Sequence, residues 1–309
     1  MTTLLLSHAA TLAHDMGAGH PERPGRIRAV MQALEGEGFG GLSRAEAPLG
    51  RGEAILRVHR QDYFETLRDA APVSGSVRLD TDTVMNSGTW EAAMRAVGGA
   101  TAAVDAVMTG AARNAFVATR PPGHHAERAI AMGFCFFNNI AIAARHAQAM
   151  HGAERVAIVD FDVHHGNGTQ DIFFADKSVL FCSTHEMPLY PGSGAKSERG
   201  AHGTIVNAPL RAGDDGTVFR EAMTSVVLPR VADFAPDLIL ISAGFDAHKC
   251  DPLGNLQLVE ADYAWITARL MELAEVSAKG RIVSLLEGGY DLQGLAGSAA
   301  AHVRELTGA

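Results

Sequence analysis

Cysteine is scarce in this chain: 309 residues hold three, Cys135, Cys182 and Cys250. So few, so scattered, exclude a disulfide framework and a Cys-rich zinc site, and a reducing compartment, the cytoplasm, is the expectation. Surplus positive charge is missing too. The formal net charge is −9 and the pI about 5.8, which is not the basic footprint of a nucleic-acid binder, so no nucleic-acid partner is expected. No stretch approaches the roughly 20 apolar residues of a membrane span, so no membrane partner is expected either. The opening MTTLLLSHAATLAH has no basic n-region, and Ser7 and His8 break its apolar run. It reads as a first β-strand rather than a signal peptide. Repeats, low-complexity tracts and Ser/Pro-rich linkers are absent, and one domain over 1–309 is expected, with a homo-oligomer left open. Hydrophobic residues at 47% and charged residues at 20% belong to an ordinary globular protein, long enough to bury its own core.

What the chain has in quantity is histidine, 14 in all. Pairs stand at 124–125 and 164–165, and singles such as His185 and His248 follow strand-like runs. The strand-like runs are LLLSHA at the start, NAFVATR (114–120), RVAIVDFD (155–162), SVLFCSTH (178–185), DLILISAGFD (237–246) and RIVSLLEGGYD (281–291). Each is continuously apolar rather than alternating, as strands covered on both faces are. Helical patterns lie between them at 89–110, 138–152, 218–234 and 260–278. Strand alternating with helix predicts an α/β fold of three layers, α/β/α, around a mainly parallel central sheet. The Gly-rich stretches at 36–41 and 190–200 read as loops.

In such a sheet, ligands collect beyond the carboxyl ends of the strands. The polar residues of interest all fall there: His124 and His125, Asp160 to His165, Ser183 and His185, Asp246, and Tyr290. In DFDVHHGNGTQ (160–170), Asp162 and His164 are two apart and share a side of an extended segment. Such a pair can simply cap a strand end. Asp246, ending another apolar strand, makes a third ligand, and one histidine with two carboxylates suits zinc while leaving a position open for water and substrate. RPPGHHA (120–126) presents His124 and His125 after a rigid turn, as a general base with a general acid or electrostatic partner. Asp160 and Asn167 are candidates to orient the two rings. Tyr290, beyond two glycines, is a candidate donor to an oxyanion, though a structural tyrosine is the plain alternative. Phe134, after Gly133, and Tyr190 from the Gly-rich loop are candidate channel walls.

RPPGHHA, GFCFFNN (133–139), DFDVHHGNGTQ, SAGFDAHKCDPLG (242–254) and LEGGYD (286–291) resemble the ordered motif set of the histone deacetylase superfamily. HPERPGRI (20–27) resembles the amino-terminal motif of its class II branch, and the likeness runs from His20 to Asp291. The resemblance implies the arginase/deacetylase fold and zinc, or iron(II), on Asp162, His164 and Asp246. It makes His125 the general base and acid, His124 its electrostatic partner and Tyr290 the residue that polarises the carbonyl. It also implies a structural potassium ion held by Asp160 and Ser183 side chains and by carbonyls of Asp162, His164 and Thr184. Gly133 would accept from the substrate amide between Phe134 and Tyr190, and Arg26 would stand behind the site. Asn167, where class I members carry aspartate, favours the class II pattern.

The expected activity is hydrolysis of an acetyl or other acyl amide on a lysine-like amine. Leu253 stands where a polyamine-specific relative carries an acid, and its lack of charge leans away from polyamines. Three alternatives stay open: an acetylpolyamine or other small-amide hydrolase on the same scaffold, a binuclear manganese hydrolase of the arginase type, and a metal-retaining homologue without catalysis. DVHHG lacks the second aspartate that the manganese cluster needs.

Overall fold

The structure, a computed structural model, describes residues 2–308. Its strands are β1 (Thr3–Ser7), β2 (Ser43–Glu46), β3 (Ser76–Arg78), β4 (Val84–Asn86) and β5 (Asn114–Val117). Then come β6 (Val156–Asp160), β7 (Val179–Glu186), β8 (Ile205–Leu210), β9 (Leu238–Ala243) and β10 (Ile282–Leu286). Eight of them form one sheet in the order β2-β1-β5-β10-β9-β6-β7-β8. Every neighbouring pair in it is parallel. The strands β3 and β4 make a small antiparallel hairpin apart from it.

Both faces of the sheet are covered, which is why its central strands read as unbroken apolar runs. Along β9 the side chains alternate between two cores. Ile239 and Ile241 join one with Phe245, Tyr263, Leu270 and Val303, beneath helices Glu260–Ser277 and Leu292–Thr307. Leu238 and Leu240 join the other with Val97, Ile140, Ala144 and Phe173, beneath helices Thr89–Met108, Asn139–His151 and Asn167–Phe173. Each such aliphatic side chain contributes about 1.5–3 kcal/mol on burial. Helix 139–151 starts where the Asn138 side chain accepts from the Ala141 N–H at 3.0 Å and stops at Gly152, whose φ of 67° needs no Cβ.

The six expected strands and three of the four expected helices are present, and the arrangement is the expected α/β/α with a parallel sheet. Two corrections have physical causes. The 218–234 pattern is not one α-helix but Gly216–Ala222, a wide turn over Met223–Val227, and Leu228–Phe234; Pro229 has no N–H to give the preceding turn. Two sheet strands lack the apolar signature because they are edges: β2 is wholly exposed, and β8 carries Pro209, which an edge tolerates.

The chain passes from β5 to β6 leaving a gap that β10 and β9 later fill. The carboxyl ends of β5, β10, β9, β6 and β7 therefore stand side by side, and the motifs follow those five ends.

Candidate active site

The segment after β6 leaves the sheet at Asp160 and bends, so Asp162 and His164 are not on an extended strand as the spacing suggests. They converge through local bonds instead. Asp162 Oδ1 accepts from the backbone N–H of His164 at 2.9 Å and lies 3.2 Å from its Nδ1. Asp246, three residues past β9, comes in from the neighbouring strand with Oδ2 at 3.3 Å from the same Nδ1, while its Oδ1 accepts from the Val163 N–H at 2.8 Å. All three side chains are buried, and their ligand-type atoms lie within 4.8 Å of one another.

This group fits a cation by its own chemistry. Asp246 Oδ2 is buried and accepts no hydrogen bond. Burial and the neighbouring Asp162 push the Asp246 carboxyl up to about 7, and the two carboxylates, overcoming burial, hold His164 up at about 10. Two carboxylates crowded together in a dry site, one with an oxygen that accepts no hydrogen bond, gain from a bound positive ion. Space is reserved beside them: a Cβ on Gly288 would overlap Asp246 Oδ2, and one on Gly244 would overlap Asp162 Oδ2.

The histidine pair sits against this group. His124 donates from Nδ1 to Asp160 Oδ2 at 2.9 Å, and the Nδ1 of His125 meets Asn167 Oδ1 at 2.8 Å. Each candidate orienter thus has one ring, and the rings are 4.0 Å apart. Their electrostatics diverge. Burial opposes charge on His124, but Asp162 and Asp160 outweigh it and hold its pKa well above the ordinary value. Burial, then the positive charge of His124 and His164, drives His125 well below it. The same surroundings thus favour charge on His124 and disfavour it on His125.

Above the pair lies a cavity of about 260 Å³ lined by His125, Gly133, Phe134, His164, Tyr190, Leu253 and Tyr290, together with Leu189 and Asp82. Phe134 and Tyr190, the two expected channel walls, both line it. Phe134 has φ 68°, a left-handed conformation that a bulky residue adopts only when its surroundings impose it. Its N–H donates to Thr83 Oγ1 at 3.1 Å and its ring meets Tyr290 edge-on at 5.8 Å. Tyr190 is 38% exposed and packs on His125 at 5.1 Å. Burial pushes the Tyr290 hydroxyl well above its usual pKa, which keeps it a donor.

Tyr290 is held from behind. Its backbone N–H donates to Asp251 Oδ2 at 2.6 Å. Arg26, fully buried, donates to the carbonyls of Gly289 and Glu287 and lies 4.8 Å over the tyrosine ring. Arg26 in turn pairs with Glu22, which Arg120 and His14 also contact. His165, by contrast, turns away from the ligand group to Ser193 Oγ at 2.8 Å and Gln170 Oε1 at 3.1 Å. Ser183 stands beside Asp160 in the β6–β7 register, its hydroxyl on His185 Nδ1 at 2.8 Å, and the buried Thr184 hydroxyl has no partner.

Four residues near the site were missed by sequence reasoning. Glu287 accepts from the N–H groups of Gly123 and His124 at 2.7 and 3.2 Å and so fixes the histidine turn; it stood inside LEGGYD. Asp251 stood inside SAGFDAHKCDPLG. Glu127 directly follows RPPGHHA and bonds Asn167. Asp82, on the β3–β4 hairpin, carried no signal.

An Asp–His–Asp group and an imidazole pair at the strand ends of a parallel sheet, beneath an aromatic-walled pocket, are the arrangement that the resemblance to the histone deacetylase superfamily implies. Residues 20–306 match the family described as the histone deacetylase domain, and this chain belongs to that family. It is 40% identical over 296 residues to a histone deacetylase-like amidohydrolase of Pseudomonas aeruginosa, covering 94% of this chain and 78% of that protein. It is also 40% identical to a probable deacetylase of Archaeoglobus fulgidus, covering 95% and 83%. Among solved structures, the HD domain of HDA15 superposes with a TM-score of 0.94 at 37% identity, covering 99% of this chain and 88% of that one.

Proposed function

We propose that this protein is a zinc-dependent deacylase that hydrolyses an acetyl or similar acyl amide on a lysine-like amine. The observation that carries the reading is the buried Asp162–His164–Asp246 group, with an unsatisfied carboxylate oxygen, beside one imidazole whose surroundings favour charge and one whose surroundings disfavour it. These three residues would hold zinc, or iron(II) as an alternative suited to the same donors, and the bound ion supplies Lewis acidity toward the acyl carbonyl and an acidified water. His125, neutral at Nε2, takes the proton of the attacking water and returns it to the departing amine. His124 stays charged against Asp160 and stabilises negative charge as it develops. Tyr290 donates its hydroxyl hydrogen to the acyl oxygen. The amide N–H finds the Gly133 carbonyl, and the acyl-bearing methylenes pass between Phe134 and Tyr190, with Leu253 beside the cavity.

Asp160 and Ser183 with the carbonyls of Asp162, His164 and Thr184 would hold potassium. The donors are all oxygen, as a hard cation prefers, and they keep free lone pairs after their protein bonds. Three free cysteines, two of them buried, suit the reducing cytoplasm.

One observation favours a second reading. Asp82 is among the residues that line the pocket, and its carboxylate would offer a second ammonium the charge that Leu253 does not, which admits acetylated polyamines. Turnover of an acetyl-lysine peptide, N-acetylputrescine and acetylspermidine decides between them, with the peptide expected fastest. Tyr290→Phe should lower kcat by about 10²–10³ while leaving the metal content unchanged. Unaltered turnover in that variant defeats the mechanism.

A further inference from the structure

An amide side chain is ambiguous where a carboxylate is not. Asn167 can turn either its oxygen or its amino group toward His125, and the two orientations demand opposite tautomers. With Oδ1 facing the ring, His125 donates from Nδ1 and keeps a lone pair on Nε2. With the amino group facing it, Nδ1 must accept, Nε2 carries the proton, and the ring cannot act as a base. The neighbours on the far side of the amide decide the matter. Nδ2 of Asn167 lies 2.8 Å from Glu127 Oε1 and 3.3 Å from Met132 Sδ, and both of those atoms are acceptors. A flipped amide would set its oxygen against a carboxylate and a sulfur with no hydrogen between them.

We propose that Glu127 is a positioning residue that fixes the orientation of Asn167 and, through it, the tautomer of His125. The relay runs outward from the buried ring through Asn167, 8% exposed, to half-buried Glu127. Glu127, Met132 and Asn167 share the wall of a surface cleft of about 330 Å³ whose lining has no residue in common with the substrate pocket. Glu127 touches neither substrate nor metal ligands; it acts by removing one of two choices. An aspartate at position 167 would need no such partner, because both of its oxygens accept. The proposal rests on the reading of His125 as the proton carrier.

The test is a double-substitution cycle. In the parent, Glu127→Ala should lower kcat about tenfold, the effect of losing one hydrogen bond, with KM little changed. Glu127→Gln, whose oxygen can still accept from Asn167, should recover most of that loss. In an Asn167→Asp background the sign should reverse: removing Glu127 separates two adjacent carboxylates, and kcat should rise. Equal effects in both backgrounds, or none in the parent, overturn the proposal. Nitrogen-15 spectra of the imidazoles, assigned with His125→Ala, provide a readout that does not depend on turnover. The parent should show Nδ1–H alone at His125 and Glu127→Ala a mixture of tautomers; a pure Nδ1–H form in that variant sinks the idea even if kcat falls. Were the parent to hydrolyse no acyl amide, the proposed function would fail while the spectra still tested Glu127.

Discussion

Asp162, His164 and Asp246 in the site, and Asp105, His146 and His151 on the surface, offer similar atoms at similar spacing. In each group three ligand-type atoms lie within 4.8 Å of one another. Their surroundings differ. The first group sits on bends beyond β6 and β9, buried, with one oxygen left without a partner. The second spans two helices, Thr89–Met108 and Asn139–His151, and Asp105 is 53% exposed. There Asp105 Oδ1 accepts from both Nε2 atoms at 2.7 Å, and the Arg57 guanidinium stands 3.5 Å from His146 Nδ1. The surface group is satisfied by its own hydrogen bonds, with a positive charge already beside it. Residue type and spacing alone do not separate a candidate metal site from a surface cluster; an unsatisfied carboxylate oxygen in a dry place does.

The largest expected effect breaks one side of this comparison only. Asp246→Ala should abolish metal retention and lower turnover by on the order of 10³ or more, as should a chelator, with zinc restoring the parent and not the variant. His146→Ala with His151→Ala should leave metal content and turnover as they were. Elemental analysis of both proteins after exhaustive dialysis reads the outcome. Metal lost from the surface variant and kept by Asp246→Ala would invert the assignment.

A second contrast sharpens the same point with ion pairs. Glu22, fully buried, is surrounded by Arg120, Arg26 and His14, whereas Arg60 and Asp62 pair at 2.6 Å with both side chains mostly exposed. Arg120→Leu takes from a buried carboxylate the guanidinium that contacts both of its oxygens and should cost about 3–5 kcal/mol in urea unfolding; Asp62→Ala should leave the urea midpoint where it was. The pH dependence follows in sign. Burial pushes the Glu22 carboxyl up, but Arg120 and the other cations outweigh it and hold its folded pKa well below the usual value. The stability it lends is therefore complete above the ordinary glutamate value near ~4.3 and is lost as pH falls through the lower folded one. Without Arg120, acid unfolding should begin at higher pH. An unchanged acid midpoint would show that Arg120 does not hold the carboxylate.

Much of this was legible in the sequence, for reasons that can be named. β6 and β9 are covered on both faces, so RVAIV and DLILIS read as strands without any partner in view. The histidine pair, Asp162, His164, Asp246 and Tyr290 lie immediately past such strands, where position alone marks them. Edge strands are hidden by the same logic: SRAE in β2 has no face to bury, and IVNAPL in β8 carries a proline. Helix Leu292–Thr307 is capped by Asp291, which accepts from the Gly294 N–H at 2.7 Å, but Gly294 and Gly297 in its first turns weaken the helical pattern. Supporting carboxylates were the real gap. Glu287, Asp251 and Glu127 act through backbone N–H groups or another side chain, and such partners are set by tertiary approach, which spacing does not encode. Asp82 reaches the pocket from a hairpin outside the main sheet and had no pattern at all.

The smallest expected effect lies in the surface cluster itself. His146 and His151 both donate to Asp105, and burial, which pushes its carboxyl up, is outweighed by the bonds from His151 and His146, so its pKa lies below the ordinary value. A depressed carboxylate lends stability above its unfolded pKa and loses it in acid. Water competes for an oxygen this exposed, so the contribution should be small. His151→Ala should change the urea midpoint at pH 7 by the equivalent of less than ~1 kcal/mol, and Asp105→Asn should do no more. The difference should shrink below about pH 4, where the unfolded carboxyl is itself protonated, and in 1 M salt, where exposed charges are screened. A loss of several kcal/mol in either variant would mean that this cluster pins the two helices together, and exposure would then be the wrong measure for telling the two groups apart.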